Sequence, residues 1–140
     1  MSLPYYFSML GDAYTQVGRP EEAGRALDEG LAIAERNDEL CQLAELYRLK
    51  GELALRAELP NVGAAEDFFR KAILTAQRQL SKSWELRATI SLARLCQRQG
   101  RHDEARRTLS DVYGWFTEGF DTPDLKAAQA LLNELNARAD

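Results

Sequence analysis

The sequence predicts an all-α protein, an α-solenoid of three helix–turn–helix repeats closed by a seventh, capping helix. Three observations predict it. Ala, Leu, Glu, Arg and Gln, all strong helix formers, dominate the 140 residues, and the period-2 alternation of half-buried strands is missing. Gly18-Arg19-Pro20-Glu21-Glu22-Ala23-Gly24-Arg25-Ala26-Leu27 returns as Gly100-Arg101-His102-Asp103-Glu104-Ala105-Arg106-Arg107-Thr108-Leu109, a shift of 82 positions. Midway between them, Ala65, Phe69 and Ala72 repeat the spacing of Ala23, Leu27 and Gly30. A unit of about 40 residues said three times marks a stack in which each unit buries its apolar face on its neighbours.

The first helix is expected from Pro4 to Val17, with Phe7, Leu10 and Tyr14 on one side, so that Met1-Ser2-Leu3 reads in part as an expression start. Gly18 supplies a left-handed residue to end it, and Pro20 opens helix two, where a missing N–H costs nothing. Helix two carries Ala23, Leu27, Leu31 and Ala34 and fades at Arg36-Asn37-Asp38. Helix three spans about Glu39 to Ala57, with Leu43, Leu46, Tyr47 and Leu53, until Pro60-Asn61 breaks the pattern. Helix four spans about Val62 to Leu80 with Ala65, Phe69, Ala72, Ile73 and Ala76. Ser81 and Ser83 both suit the N-cap of helix five, which sends Trp84, Ala88, Leu92, Leu95 and Cys96 inward. Gly100 repeats the role of Gly18; helix six uses Ala105, Leu109 and Val112 and ends before Gly119. Thr122-Pro123-Asp124 combines a capping hydroxyl, a first-turn proline and an acid at the positive helix end. Helix seven follows with Leu125, Ala128, Leu131, Leu132 and Leu135, a lid on the last unit. The whole chain, 1–140, is expected to be one domain, with units at 4–36, 38–80 and 83–116 and the capping helix at 122–138.

These positions resemble the tetratricopeptide repeat, in which helix A carries an aromatic, Leu-Gly and Tyr, and helix B carries Ala, a large residue and Ala. Unit one fits with Phe7, Leu10-Gly11, Tyr14, Ala23 and Leu27; Gly30 replaces the last Ala. Unit two fits with Tyr47, Gly51, Ala65, Phe69 and Ala72, with about two extra residues around Pro60. Unit three fits with Leu92-Ala93, Ala105 and Leu109, but has Cys96 for the usual Tyr and Val112 for the usual Ala. The small residues Gly11, Gly51, Ala93, Ala23, Ala65 and Ala105 let two backbones approach while large ones fill the adjacent holes. The spacing of 40 to 42 departs from the family's 34. The tail Tyr113-Gly114-Trp115-Phe116-Thr117-Glu118-Gly119-Phe120-Asp121-Thr122-Pro123-Asp124-Leu125, with Tyr47-Arg48-Leu49-Lys50-Gly51-Glu52-Leu53, resembles the C-terminal region of large bacterial signalling proteins. Those join a class III nucleotide cyclase or a DNA-binding domain to a predicted NTPase and tetratricopeptide-like repeats. The resemblance implies a non-catalytic scaffold whose enzymatic domains lie elsewhere.

The composition narrows the function. A net charge of −4 argues against general nucleic-acid binding, and no run approaches a membrane span. Cys41 and Cys96 both fall on apolar stripes without a Cys-x-x-Cys, so no disulfide is expected and a reducing cytoplasm is the simplest setting. His102 has no companion nucleophile, no phosphate loop occurs, and the scattered carboxylates share no pocket. Neither enzymatic activity nor a metal or other cofactor is expected.

The expected interaction site is the groove that helix A of each unit lines in the resembled family. Unit one contributes Tyr5, Ser8, Asp12 and Gln16; unit two, Glu45, Arg48, Glu52 and Arg56; unit three, Arg87, Ile90, Arg94, Gln97 and Arg98. Five arginines on two helices form a local basic cleft suited to carboxylates, such as those of an acidic peptide or a protein's C-terminus. The plainer reading pairs Glu52 with Arg56 and Glu45 with Arg48 as surface decoration, at about 0.2–0.5 kcal/mol each. Trp115, Phe116 and Phe120 read either as the anchor of helix seven, which is favoured, or as a docking patch. As an anchor, Trp115→Ala costs about 3–5 kcal/mol. The partner is a protein, a peptide or another domain of the parent protein. The alternative is a structural spacer that forms a homodimer through an apolar edge at Tyr5, Tyr6 and Phe7.

Overall fold

A computed structural model describes residues 2–138. It contains seven helices: α1 (Leu3–Gln16), α2 (Pro20–Asn37), α3 (Leu40–Leu55), α4 (Val62–Arg78), α5 (Lys82–Arg98), α6 (His102–Tyr113) and α7 (Pro123–Ala137). The pairs α1/α2, α3/α4 and α5/α6 form three hairpins, and α2 packs on α3 as α4 does on α5. The first helices of the hairpins also line up, α1 on α3 and α3 on α5. This is a tetratricopeptide-like α-solenoid with a C-terminal helix. α7 packs on α6 and α5, the same two relations that α5 has to α4 and α3. It therefore stands where the first helix of a fourth unit would stand.

Small residues set the hairpin spacing. A Cβ added at Gly51 would lie 2.5 Å from Phe69 Cε1, and one at Gly11 would overlap Leu27. Ala23, Ala65, Ala93 and Ala105 are fully buried. One core cluster joins Leu27, Leu43, Leu46 and Leu49 across units one and two. A larger one runs from Phe69 through Leu92 and Leu109 to Leu131 and Leu135.

Gly18 and Gly100 end α1 and α5 with φ of 76° and 78°, giving hairpin turns of only Val17–Arg19 and Gln99–Arg101. Unit two needs Arg56–Asn61, a turn longer than the sequence suggested. There Asn61 accepts from Ala64 N at 3.1 Å and caps α4.

Several expectations are corrected. Ser2 caps α1, accepting from Tyr5 N at 3.2 Å, and the helix begins at Leu3, one residue before the expected Pro4; Met1 lies outside the described residues. α6 stops at Tyr113. Ser81, not Ser83, caps α5. Thr122 sits at the N-cap of α7, but its hydroxyl donates to Gly119 O at 2.8 Å and caps nothing. Trp84 is half-buried; Glu85 and Leu86 take the inward positions beside it. Cys41 is exposed and only Cys96 behaves as a buried hydrophobe. Trp115 is 60% exposed, stacked edge-on against Phe116, and Phe116 alone of the trio packs on the core. Trp115→Ala therefore costs less than about 1 kcal/mol rather than 3–5. The apolar edge of α1 also differs, since Tyr5 turns towards α3 and α5 and Phe7 lies against Gly30 of α2.

Candidate functional site

Ten of the thirteen residues assigned to the groove by sequence share one exposed or half-exposed side of the stack. On α1, Tyr5, Asp12 and Gln16 are exposed and follow the helical repeat; on α3 and at its C-cap, Arg48, Glu52 and Arg56 are four apart; on α5, Arg87, Arg94 and Arg98 recur at seven and four, with Gln97 alongside. Because α1, α3 and α5 lie side by side, these stripes form one surface, broken into three clefts. The first, about 220 Å³, holds Tyr5, Asp12, Arg48 and Arg87. The second, about 290 Å³, holds Asp12, Gln16, Arg48, Glu52, Arg56 and Arg94. The third, about 230 Å³, holds Arg94, Gln97 and Arg98 against α7. Ser8, though largely buried, lines the first cleft together with Glu45, whereas Ile90 is buried in the core and does not reach this surface.

The arginines divide into two groups. Arg48 donates from Nε to Glu45 at 2.9 Å, and its Nη1 is 3.8 Å from Glu52. Ser91 of α5 donates to Glu52 at 2.9 Å, tying α3 to α5. Arg87 bridges Glu45 at 3.3 Å and Asp124 of α7 at 3.1 Å and lies 5.1 Å from the Trp84 ring centre. Burial opposes the charge on Arg87, but Glu45 and Asp124 outweigh it and raise its pKa. These two guanidiniums are structural clamps. Arg56, Arg94 and Arg98, by contrast, are exposed and make no ion pair among the described residues. The Glu45–Arg48 pair thus forms as the spacing suggested, whereas Glu52 turns to Arg48 and Ser91 and leaves Arg56 unpaired. The surface is not the uniformly basic cleft that counting arginines implied. It is a neutralised floor with three cations standing clear of it.

Sequence reasoning missed the acids that finish this surface. Asp124 and Glu134 of α7 reach Arg87 and Gln97, the latter at 3.0 Å, a contact that only the placement of α7 reveals. It also missed a depression of about 580 Å³ between α3 and α4, lined by Tyr47, Lys71, Leu74, Thr75, Gln77 and Arg78. There Tyr47 stacks on Phe68 with centres 6.5 Å apart, and Lys71 Nζ sits 5.8 and 5.9 Å from the two rings. Burial, then a hydrogen bond to Glu35, pushes the Tyr47 hydroxyl pKa up.

Among the described residues no group of three or more His, Cys, Asp or Glu is arranged to hold a metal ion, and no helix is long and apolar enough to cross a membrane. The tetratricopeptide repeat family model matches residues 4–29 and 86–110. Those stretches lie within the first and third hairpins, the ones that carry the duplicated phrase and the three-residue turns. The second hairpin, with its longer turn, is unmatched. No curated protein matches the chain. Repeats of this kind generally mediate protein–protein interaction, and the fold is typically non-catalytic.

Proposed function

We propose that this chain is a non-catalytic protein-interaction module that receives an acidic peptide segment along the α1–α3–α5–α7 face. One observation carries the reading: Arg56, Arg94 and Arg98 are exposed and without acidic partners, while their neighbours Arg48 and Arg87 are held by Glu45, Glu52 and Asp124. A guanidinium fork without an intramolecular acceptor suits a carboxylate from outside. The clamped pair keeps the backbone beneath it rigid, which lowers the ordering cost of binding. Tyr5, Asp12, Gln16, Glu52 and Gln97 line the same clefts and would orient the segment by hydrogen bonds.

The same reading makes residues 1–140 one domain, with units at 4–36, 38–80 and 83–116 and a closing helix at 122–138. On the resemblance of its tail, the domain is the C-terminal scaffold of a larger bacterial, cytoplasmic signalling or regulatory protein, and the bound segment is a partner protein or another domain of the parent. Replacing Arg94 and Arg98 together with Glu tests the reading. Capture of the parent's remaining domains, or of an Asp/Glu-rich peptide, is expected to fall at least tenfold with an unchanged far-UV circular dichroism spectrum. Undiminished capture would remove the proposal.

A further inference from the structure

The depression of about 580 Å³ between α3 and α4 shares no lining residue with the three groove clefts. It lies in the middle of the stack, where α3 packs on both α2 and α4. Two kinds of side chain meet there. Tyr47 and Leu74, the latter 60% exposed, supply an apolar floor. Lys71 and Arg78, seven apart and so on one side of α4, supply two cations. Both are exposed and make no ion pair among the described residues. Their neighbours are spent: Lys50 on Asp28 at 2.6 Å, and Arg70 on Glu66 and Glu104. The Tyr47 and Phe68 rings hold the Lys71 ammonium at 5.8 and 5.9 Å, which fixes a cation without neutralising it.

The internal repeat shows that the fold does not require this arrangement. A shift of 42 carries Ala23 and Leu27 onto Ala65 and Phe69, and with them Glu29 onto Lys71 and Ala32 onto Leu74. A shift of 40 carries Lys71 onto Asp111 and Leu74 onto Gly114. All six positions are exposed. Units one and three thus place an acid and a small residue where unit two places a cation and a leucine. Phe68 likewise stands where they have Ala26 and Thr108; Arg78 alone has a counterpart, Arg36 of unit one.

These features select the occupant. Two unpaired cations ask for anions. Glu35 of α2 accepts from the Tyr47 hydroxyl at 3.0 Å and repels acids from that side, so the anions belong along α4 and the apolar group over Tyr47. With Lys71, Leu74, Gln77 and Arg78 all exposed, the hollow is too open to enclose a small molecule as ligand pockets do. A net charge of −4, with Glu35 at the rim, is wrong for nucleic-acid phosphates. Cations seven residues apart lie roughly 10 Å apart along the axis, which matches carboxylates at the same spacing on a helix beside α4. We infer that the α3–α4 hollow is a second docking site, for an amphipathic helix of a partner protein. That helix sets a leucine-sized side chain over Tyr47 and Leu74, and carboxylates seven residues apart against Lys71 and Arg78. The site uses none of the groove residues and stands independently of the proposed groove.

The probe is a capped, alanine-rich helical peptide with one leucine between two glutamates seven residues apart. It is titrated to about 1 mM into isotopically labelled protein carrying Arg94→Glu and Arg98→Glu, which closes the groove to acids and separates this site from that one. Saturable amide shifts around Tyr47, Phe68, Lys71, Leu74 and Arg78 are expected. Adding Lys71→Glu and Arg78→Glu is expected to weaken binding by about tenfold or more, and Leu74→Asn on the order of fivefold. Because these three side chains are exposed, far-UV circular dichroism stays unchanged. A peptide of the same composition, with its leucine on the face opposite the glutamates, is expected to bind about tenfold more weakly. No saturable shift, equal affinity for the two peptides, or affinity indifferent to Lys71→Glu/Arg78→Glu would overturn the inference. So would shifts at these residues produced by a single-stranded oligonucleotide and not by the peptide.

Discussion

At the scale of single residues, two backbone positions carry consequences of opposite sign. Gly51 has no room for a methyl group: its added Cβ would sit 2.5 and 2.7 Å from the Phe69 ring and 3.1 Å from the Ala65 carbonyl oxygen. The ring is fully buried and the carbonyl is backbone, so neither yields cheaply. Gly51→Ala is expected to destabilise by about 1–3 kcal/mol, outweighing a helix-propensity gain of up to about 1 kcal/mol. Leu80 is the converse. It ends α4 in the left-handed region, with φ of 59°, while its side chain is 90% exposed and gains almost nothing from packing. Leu80→Gly relieves strain of about 1–2 kcal/mol and increases the freedom of the unfolded chain by less. A net gain of about 0.5–1 kcal/mol follows, seen as a melting temperature higher by a few degrees. An unchanged or lower melting temperature would contradict it. The first of these positions was legible, because Gly51 fell where a family pattern wants a small residue. The second was not, because a leucine gives no sign of a left-handed backbone.

At the scale of elements, helix existence was legible throughout and helix ends were not. Pro20, Gly18, Gly100 and Pro123 punctuate the chain in ways the backbone obeys, whereas α6 stops at Tyr113 although helix-compatible residues continue beyond it. The Trp115–Phe120 stretch then misled for a physical reason. Aromatic content suggests burial, but the segment joins two helices across the surface, and only Phe116 finds the core. What holds the second helices together was also hidden, since it is built from residues far apart in sequence. Arg101 donates to Glu66 at 2.8 Å and Arg70 links Glu66 at 2.8 Å to Glu104 at 3.2 Å, fastening α4 to the start of α6. Hydrogen bonds from Arg101, then Arg70, lower the Glu66 pKa to about 2 from an ordinary 4.5. A carboxylate depressed in the folded state stabilises it fully above the unfolded pKa. That contribution is therefore lost as pH falls from about 4.5 towards 2. Glu66→Gln is expected to lower stability at pH 7 and to flatten the acid limb of a melting-temperature profile over that window. A parallel, undiminished acid limb in the variant would show that other groups set it.

At the scale of the whole molecule, lateral stacking brings residues from α1, α3, α5 and α7 onto one face and decides which of their charges remain unspent. The stripes themselves could be read from the sequence, because spacing fixes which side of a helix a residue occupies. Which arginines stay unpaired could not, because Ser91, Asp124 and Glu134 arrive from other helices. The claim most open to direct measurement is that this face is where a partner binds. Titration of the isotopically labelled protein with a short Asp/Glu-rich peptide, followed by amide and arginine side-chain chemical shifts, reads it residue by residue. Partner binding here predicts saturable shifts clustered around Arg56, Arg94 and Arg98 and their neighbours Asp12, Gln16 and Gln97, weakened by added salt. Shifts confined to α2, α4 and α6, or none at millimolar peptide, would contradict it.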